Sequence, residues 1–418
     1  MDLFEYSRSL NSKNDTPLAA RIRPVTIEEV VGQQHGNYYY PTISGVLRSL
    51  NFYPIEDETA EEGIASLALG LGKYIVDGGQ TLRVSPYHPQ KVLQMSEMHI
   101  ALRQTQTQFY ALEMSMGSSF STDDGFNIAS LPVKEAEAHG SLKYIASTYD
   151  AMNQIVRDGF YPGGRKIVSM CGVLKHGIFP LPELLRMSMK NGAEGMRRPV
   201  EIELACNLSS KRRDDGGGVE GEFYLLQIRP IVDSKQELNM NLNELADDRC
   251  LLRSNSSLGH GISEDVADVV YVKAADDFSA AENPTIAMEI EQLNQHFIEQ
   301  KRGYVLVGPG RWGSSDHWLG IPVKWAQISA ARVIVECGLP GYRVDPSQGT
   351  HFFQNLTSMG VGYFTINPYR QDGLFNKAVL DAMPAVEETD HVRHVRFEKP
   401  LTIMMDGVKQ QGVVLLPE

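Results

Sequence analysis

Two segments of the chain mix strand-forming apolar residues with polar ones on either side of a glycine-rich connector. They are VEIELA (Val200 to Ala205) and GEFYLLQIRPIV (Gly221 to Val232), and Asp214-Asp215-Gly216-Gly217-Gly218 lies between them. The pattern predicts a β-hairpin with a long loop. Residues two apart on a strand share a face, so Glu201 goes with Glu203 and Gln227 with Arg229. Upstream, Lys166 to Leu174 reads as a buried strand and Leu181 to Lys190 as a helix; downstream, Asp265 to Ala274 reads as a strand and Ala287 to Lys301 as a helix. Residues 36 to 90 read as short strands and turns, with a helical stretch over Thr59 to Lys73 that opens on the capping-box pattern Thr59-x-x-Glu62. Helical spacing over residues 91 to 160 places Met95, Met98, Ile100, Leu102 and Phe109 in a core, and Tyr144 to Gly159 reads as a further amphipathic helix. Strands alternating with helices predict an α/β or α+β architecture.

At 418 residues the chain is long enough for two or three domains. The expected division is an N-terminal arm over 1–35, a first domain over 36–232, a turn-rich linker over 233–262 and a second α/β domain over 263–418. The formal charge is −13, from 39 basic and 52 acidic residues, with no concentrated basic stripe. That balance argues against general nucleic-acid binding. Cys171, Cys206, Cys250 and Cys337 form no CxxC pair, which predicts reduced, buried thiols and a cytoplasmic protein. No apolar run approaches the ~20 residues of a membrane-spanning helix.

If the two polar faces of the hairpin coincide, Glu201, Glu203, Gln227 and Arg229 stand together. Carboxylate and amide oxygens can hold a hydrated Mg²⁺, and a guanidinium can fork onto a phosphate oxygen, which is what a nucleoside triphosphate site requires. The same residues also suit a solvated hairpin with cross-strand Glu–Arg pairs, each worth only tenths of a kcal/mol. Gly70, Gly72, Gly78 and Gly79 allow tight turns or a close backbone approach to a ligand. Further on, GPGRWGSSDHW (Gly308 to Trp318) follows an apolar strand, and Trp312, Trp318 and Trp325 are crowded around it. This loop suits either a structural turn or an anion site built from backbone N–H groups and Arg311. His317 and His351 fall in no triad or metal-ligand spacing.

The order acidic-Ile-Glu, loop, Leu-Gln-x-Arg-Pro resembles the end of the ATP-grasp nucleotide-binding domain of phosphoenolpyruvate synthase and pyruvate phosphate dikinase. GLGKYIVDGG (Gly70 to Gly79) is similar to that family's Gly-Leu-Gly-x-x-x-Val-x-Gly stretch, and Leu181 to Glu203 is similar to its helix leading into the acidic strand. The resemblance implies an incomplete ATP-grasp-like domain over about 29–232, followed by the second α/β domain, with ATP and Mg²⁺ as cofactors. It implies Glu201 and Gln227 as metal contacts, Glu203 as a metal or ribose contact, and Arg229 as the catalytic phosphate contact. Glu201 stands where the family usually has Asp. The implied activity is phosphotransfer to a histidine on a separate acceptor domain or protein. The family's first subdomain and its Thr/Ser-His-Ala phosphohistidine segment are not recognisable in this chain, so catalysis by the chain alone is expected to be weak or absent.

Two alternatives stand beside this reading. One is a non-catalytic regulatory or scaffold protein that binds a metabolite or partner through the C-terminal domain around Arg311. The other comes from residues 1–35, whose Pro-Leu-Ala-Ala-Arg-Ile-Arg-Pro run resembles the opening of replication-associated recombination protein A, an AAA+ DNA-repair ATPase. An AAA+ reading needs a G-x-x-x-x-G-K-[ST] phosphate loop, and the chain contains none; its nearest string is ALGLGKY (Ala68 to Tyr74).

Overall fold

The computed structural model describes residues 31–114, 127–214, 217–231, 242–274, 278–314, 316–340, 356 and 360–417. The N-terminal residues behind the AAA+ resemblance lie outside them up to residue 30, as does His351. The described chain is mixed α/β with strands predominating, arranged in several sheets.

The predicted hairpin forms. Strands Val200–Arg212 and Val219–Pro230 pair antiparallel, and the sheet continues through Ile43–Arg48, Ile64–Ala68 and Leu82–Val84, antiparallel throughout. Its two faces differ in chemistry because the side-chain period is two. One face carries Ile202, Leu47 and Ala65 in one row and Leu204 and Leu67 in the next, all at most 1% exposed. Helix Leu181–Met196 packs on this face through Leu185 and Met189, and completes a core that runs from Tyr40 to Leu208. The helix reaches Met196, beyond the predicted Lys190, and Arg197 then takes a left-handed conformation that ends it.

Four readings of local pattern need correction. Lys166 to Leu174 is strand only within Arg165–Val168 and then turns into a short helix, Cys171–Leu174. Tyr144 to Gly159 is a strand pair, Ala146–Asp150 with Ile155–Asp158, and not a helix. Asp150 Oδ1 accepts from the N–H groups of Met152 and Asn153 and so turns the chain, while Ser147, Thr148, Tyr149 and Val156 are ordinary strand formers. Thr59 to Lys73 holds only a 3₁₀ turn, Ala60–Glu62, followed by strand Ile64–Ala68. Glu62 accepts from the Thr59 N–H at 3.3 Å as the capping box predicts. Gly63, at φ +68°, then stops the helix where an added Cβ would lie 2.4 Å from the Arg48 carbonyl oxygen. Finally, the helical spacing around Met98 extends only over Met98–Gln104, and Phe109 sits fully buried on strand Gln108–Glu113.

The second body is built on a larger sheet. Strands Gly261–Val272, Tyr304–Pro309, Ala331–Cys337 and Gly362–Ile366 run parallel and adjacent in that order. Helix Asn283–Glu299 makes the crossover between the first two, as a parallel pair requires. Val392–Asp406, Gln411–Leu415, Cys250–Ser254 and Leu374–Phe375 extend the sheet beyond Gly261–Val272, and Ser256–Leu258 lies on its opposite edge. Cys250–Ser254 and Ser256–Leu258 thus belong to this sheet although they fall in the stretch read as a linker. Tyr304–Pro309 is buried along its whole length because both faces are covered: Tyr304 and Leu306 point into one core, Val305 and Val307 into the other. The two bodies touch where the Phe52 ring stacks on His260 at 4.4 Å, the Gly259 N–H donates to the Phe52 carbonyl at 3.0 Å, and the Tyr53 hydroxyl donates to the Val361 carbonyl at 3.3 Å.

Candidate functional site

The face of the five-stranded sheet opposite its core carries the charge. Direct cross-strand partners point the same way, so register alone assigns two rows. Arg229, Glu201, Arg48 and Ile64 form the first; Gln227, Glu203, Val46, Ser66 and Arg83 form the second. All four residues expected from the sequence therefore meet on one face. Glu201, Glu203 and Arg229, though not Gln227, line a cavity of 470 Å³ that Phe52, Tyr53, Gly78 and Gly79 also line. Gly70, at φ +89°, packs its Cα against the Tyr110 carbonyl, where an added Cβ would lie 2.6 Å from the oxygen. The glycine stretch of the sequence thus serves both a tight turn and the cavity wall.

Glu201 is 8% exposed and lies between two arginines. Its Oε2 accepts from Arg48 Nε at 2.6 Å, and its Oε1 accepts from Arg229 Nε at 2.9 Å and from Arg229 Nη2. Burial pushes its carboxyl pKa up, but the hydrogen bonds and charges of the two guanidinium groups outweigh that and hold it below the usual carboxylate range. The pairing raises the Arg229 guanidinium in return. Arg83 lies deeper: it donates through Nη2 to Asn51 Oδ1 and to the Tyr53 carbonyl, and burial lowers its pKa to about 10, so it stays charged at neutral pH. Behind it Glu58, 8% exposed, accepts from Asn51 Nδ2 and the Ile55 N–H, and burial raises its pKa. The Glu203 side chain makes no hydrogen bond to a described residue, and it stands opposite Gln227.

The arrangement bears unevenly on the expected metal contacts. Both oxygens of Glu201 are engaged by guanidinium groups, so this carboxylate takes a metal only if an arginine withdraws. Glu203 and Gln227 offer free oxygens side by side, enough for the one or two protein contacts that a largely hydrated Mg²⁺ accepts. Among the described residues no group of three or more His, Cys, Asp or Glu side chains is placed to share a metal ion. Three guanidinium groups stand with Glu201 and Glu203, and Glu58 lies behind Arg83; Arg48 and Arg229, each more than half exposed, are the groups that can still meet an anion. Arg48, Ser66 and Arg83 were not singled out from the sequence, although each is a polar position within a short strand-like run (GVLRSL, IASLAL, TLRVS). What was missing was the pairing that lines those runs up with the hairpin.

The glycine loop after Tyr304–Pro309 is not an anion cradle. The N–H groups of Gly310, Arg311 and Gly313 donate to the carbonyls of Cys337, Leu319 and Ile321, which leaves none of the three for a ligand. The four cysteines are free and buried, as expected, and burial pushes the Cys206 and Cys337 thiols up to about 12. Among the described residues no helix is long and apolar enough to cross a membrane. No known family model matches the chain, and no curated protein matches it.

Proposed function

We propose that the charged face of the five-stranded sheet binds the phosphates of ATP, and that the chain is a phosphotransferase-like, ATP-binding protein with little or no activity by itself. The observation that carries this reading is the two-row arrangement that brings Arg48, Arg83 and Arg229 over Glu201, Glu203 and Gln227 on one open face. Arginine forks match phosphate oxygens, and phosphoryl transfer depends mainly on positioning and charge neutralisation. Arg229 and Arg48, each more than half exposed, reach the phosphates, while Glu201 holds both guanidinium groups at a fixed spacing. Glu203 and Gln227 would hold Mg²⁺, which when bound neutralises phosphate charge. The resemblance to the synthase and dikinase family adds the expectation that the phosphoryl acceptor is a separate domain or protein.

Isothermal titration calorimetry of the full chain with ATP and Mg²⁺ tests this. Saturable binding is expected, weakened about tenfold or more in Arg229→Ala, since loss of a charge-assisted contact costs roughly 1.5–3 kcal/mol. Glu203→Gln is expected to weaken binding in the presence of Mg²⁺ and to leave it unchanged in EDTA. Unaltered affinity in Arg229→Ala would remove that residue from the site, and no binding at millimolar ATP would overturn the reading.

A further inference from the structure

Strand Val219–Pro230 ends the five-stranded sheet, and its outer edge is open. It runs for 12 residues, whereas the longest of the other sheet-end strands among the described residues, Ile128–Pro132, has 5. Among the described residues its backbone pairs with Val200–Arg212 alone, apart from the Val219 N–H, which donates to the Ile178 carbonyl at 2.8 Å. A long edge left in this state is a template for another strand. Leu225, Leu226 and Ile228 lie along it at 56%, 49% and 37% exposed. Helix Leu181–Met196 reaches Ile228 through Gly192 and still leaves it open to water. The edge thus offers both unpaired backbone groups and apolar side chains.

The order of residues on the strand points to its partner. Between Glu203 and Leu204 the register jumps from Gln227 to Leu225, so Leu226 is the extra residue of a β-bulge. The bulge shifts the alternation of faces by one. Arg229, Gln227, Tyr224 and Glu222 lie opposite Glu201, Glu203, Ala205 and Asn207, on the charged face. Ile228, Leu225 and Phe223 lie opposite Ile202, Leu204 and Cys206, on the face that the helix covers. An antiparallel copy related by a twofold axis between Leu225 and Leu226, perpendicular to the sheet, then meets this strand with like faces together. Glu222 faces the copy's Arg229, Phe223 its Ile228, Tyr224 its Gln227 and Leu225 its Leu226, and each pair occurs twice. A slip of one residue either way sets charged-face positions against apolar ones, so the register is specified. Arg229 gives Nε and Nη2 to Glu201, which leaves Nη1 uncommitted among the described residues for the copy's Glu222. We infer that the outer edge of Val219–Pro230 is a twofold interface between two copies of this chain, across which their five-stranded sheets join into one. The same patch serves both sides, as an isologous interface requires. Both charged faces then look to the same side of the joined sheet, and the inference does not rest on what those faces bind.

Sedimentation equilibrium of the full chain over the micromolar range tests this. A mass of twice 46.5 kDa is expected. Leu226→Lys sets two like charges beside the axis and should leave the single-chain mass. Glu222→Arg faces the copy's Arg229 with a like charge and should raise the dissociation constant about tenfold or more, because the lost pair occurs twice. Glu222 and Leu226 are both exposed, so neither change empties a core. Met152→Lys, 95% exposed on the turn after Ala146–Asp150, should dimerise as the parent does. Hydrogen exchange of the parent gives a readout that no variant's folding can confuse: amides of Val219–Pro230 should lose protection on dilution to the single chain. A single-chain mass for the parent, a mass that keeps growing with concentration, a dimer that survives Leu226→Lys, undiminished affinity in Glu222→Arg, dissociation by Met152→Lys, or edge protection unchanged on dilution would each overturn the inference.

Discussion

Replacing Asp268 by alanine is expected to destabilise the chain by about 3 kcal/mol, the low end of the cost of leaving a buried charge unpaired. Asp268 is 2% exposed on strand Gly261–Val272. Its Oδ1 accepts from His394 Nε2 at 2.8 Å and from Arg302 Nη2 at 2.5 Å. His394 is 6% exposed and meets the Phe297 ring edge-on at 5.0 Å, while Arg302 lies over the same ring. Without the carboxylate both donors lose this partner, and Arg302 Nε is already buried with none among the described residues. The low end applies because the Arg302 side chain is 29% exposed and part of its charge can turn to water. Urea denaturation measures the change, and a loss under about 1 kcal/mol would refute the triad as a stabilising unit. Burial raises the Asp268 carboxyl pKa, but the hydrogen bonds from His394 and Arg302 and their charges hold it below its ordinary value. A depressed carboxyl stabilises fully above its unfolded value, about 4, and the contribution is lost as pH falls through the lower folded value. The gap between parent and Asp268→Ala should therefore narrow as pH falls below about 4.

Trp312→Ala is expected to cost about 3–5 kcal/mol, the usual range for emptying a large aromatic site. The ring is 1% exposed and rests on Gly308, where an added Cβ would lie 2.3 Å from it. Its Nε1 donates to the Val335 carbonyl at 2.9 Å, and its backbone N–H donates to Glu336 Oε1 at 3.0 Å. Alanine would leave a void against two parallel strands and remove the indole's hydrogen bond to the Val335 carbonyl. Trp318→Ala, a few residues on, should change stability by less than about 0.5 kcal/mol because that ring is mostly in water. Parallel urea melts of the two variants check the contrast. Equal losses would mean that the loop, rather than the buried ring, supplies the stability.

The three tryptophans show where sequence reading stops. Their crowding in the chain pointed to one packed or ligand-facing surface, yet it could not say that Trp312 would be core and Trp318 open. That choice depends on Gly308 making room for one ring. The same holds for the glycine loop: its composition suits an anion, and only the folded chain spends three of its N–H groups on neighbouring strands. Tyr144 to Gly159 misled in the opposite way. Its apolar spacing suits a helix, but the local turn at Asp150 and the pairing with strand Arg165–Val168 make strands of it.

By itself the sequence determined the hairpin, the shared faces of Glu201 with Glu203 and Gln227 with Arg229, the helix before them, the strand and helix pattern of the second half, and the reduced cysteines. These follow from side-chain periods, turn residues and composition, all of them local. Only the tertiary structure decided that Arg48, Ser66 and Arg83 join that hairpin, and that Glu201 is committed to two arginines while the Glu203 side chain is left open. Those facts depend on which strands pair and in which register, above all on Ile43–Arg48 pairing with Val200–Arg212, residues more than a hundred positions apart that no local pattern links.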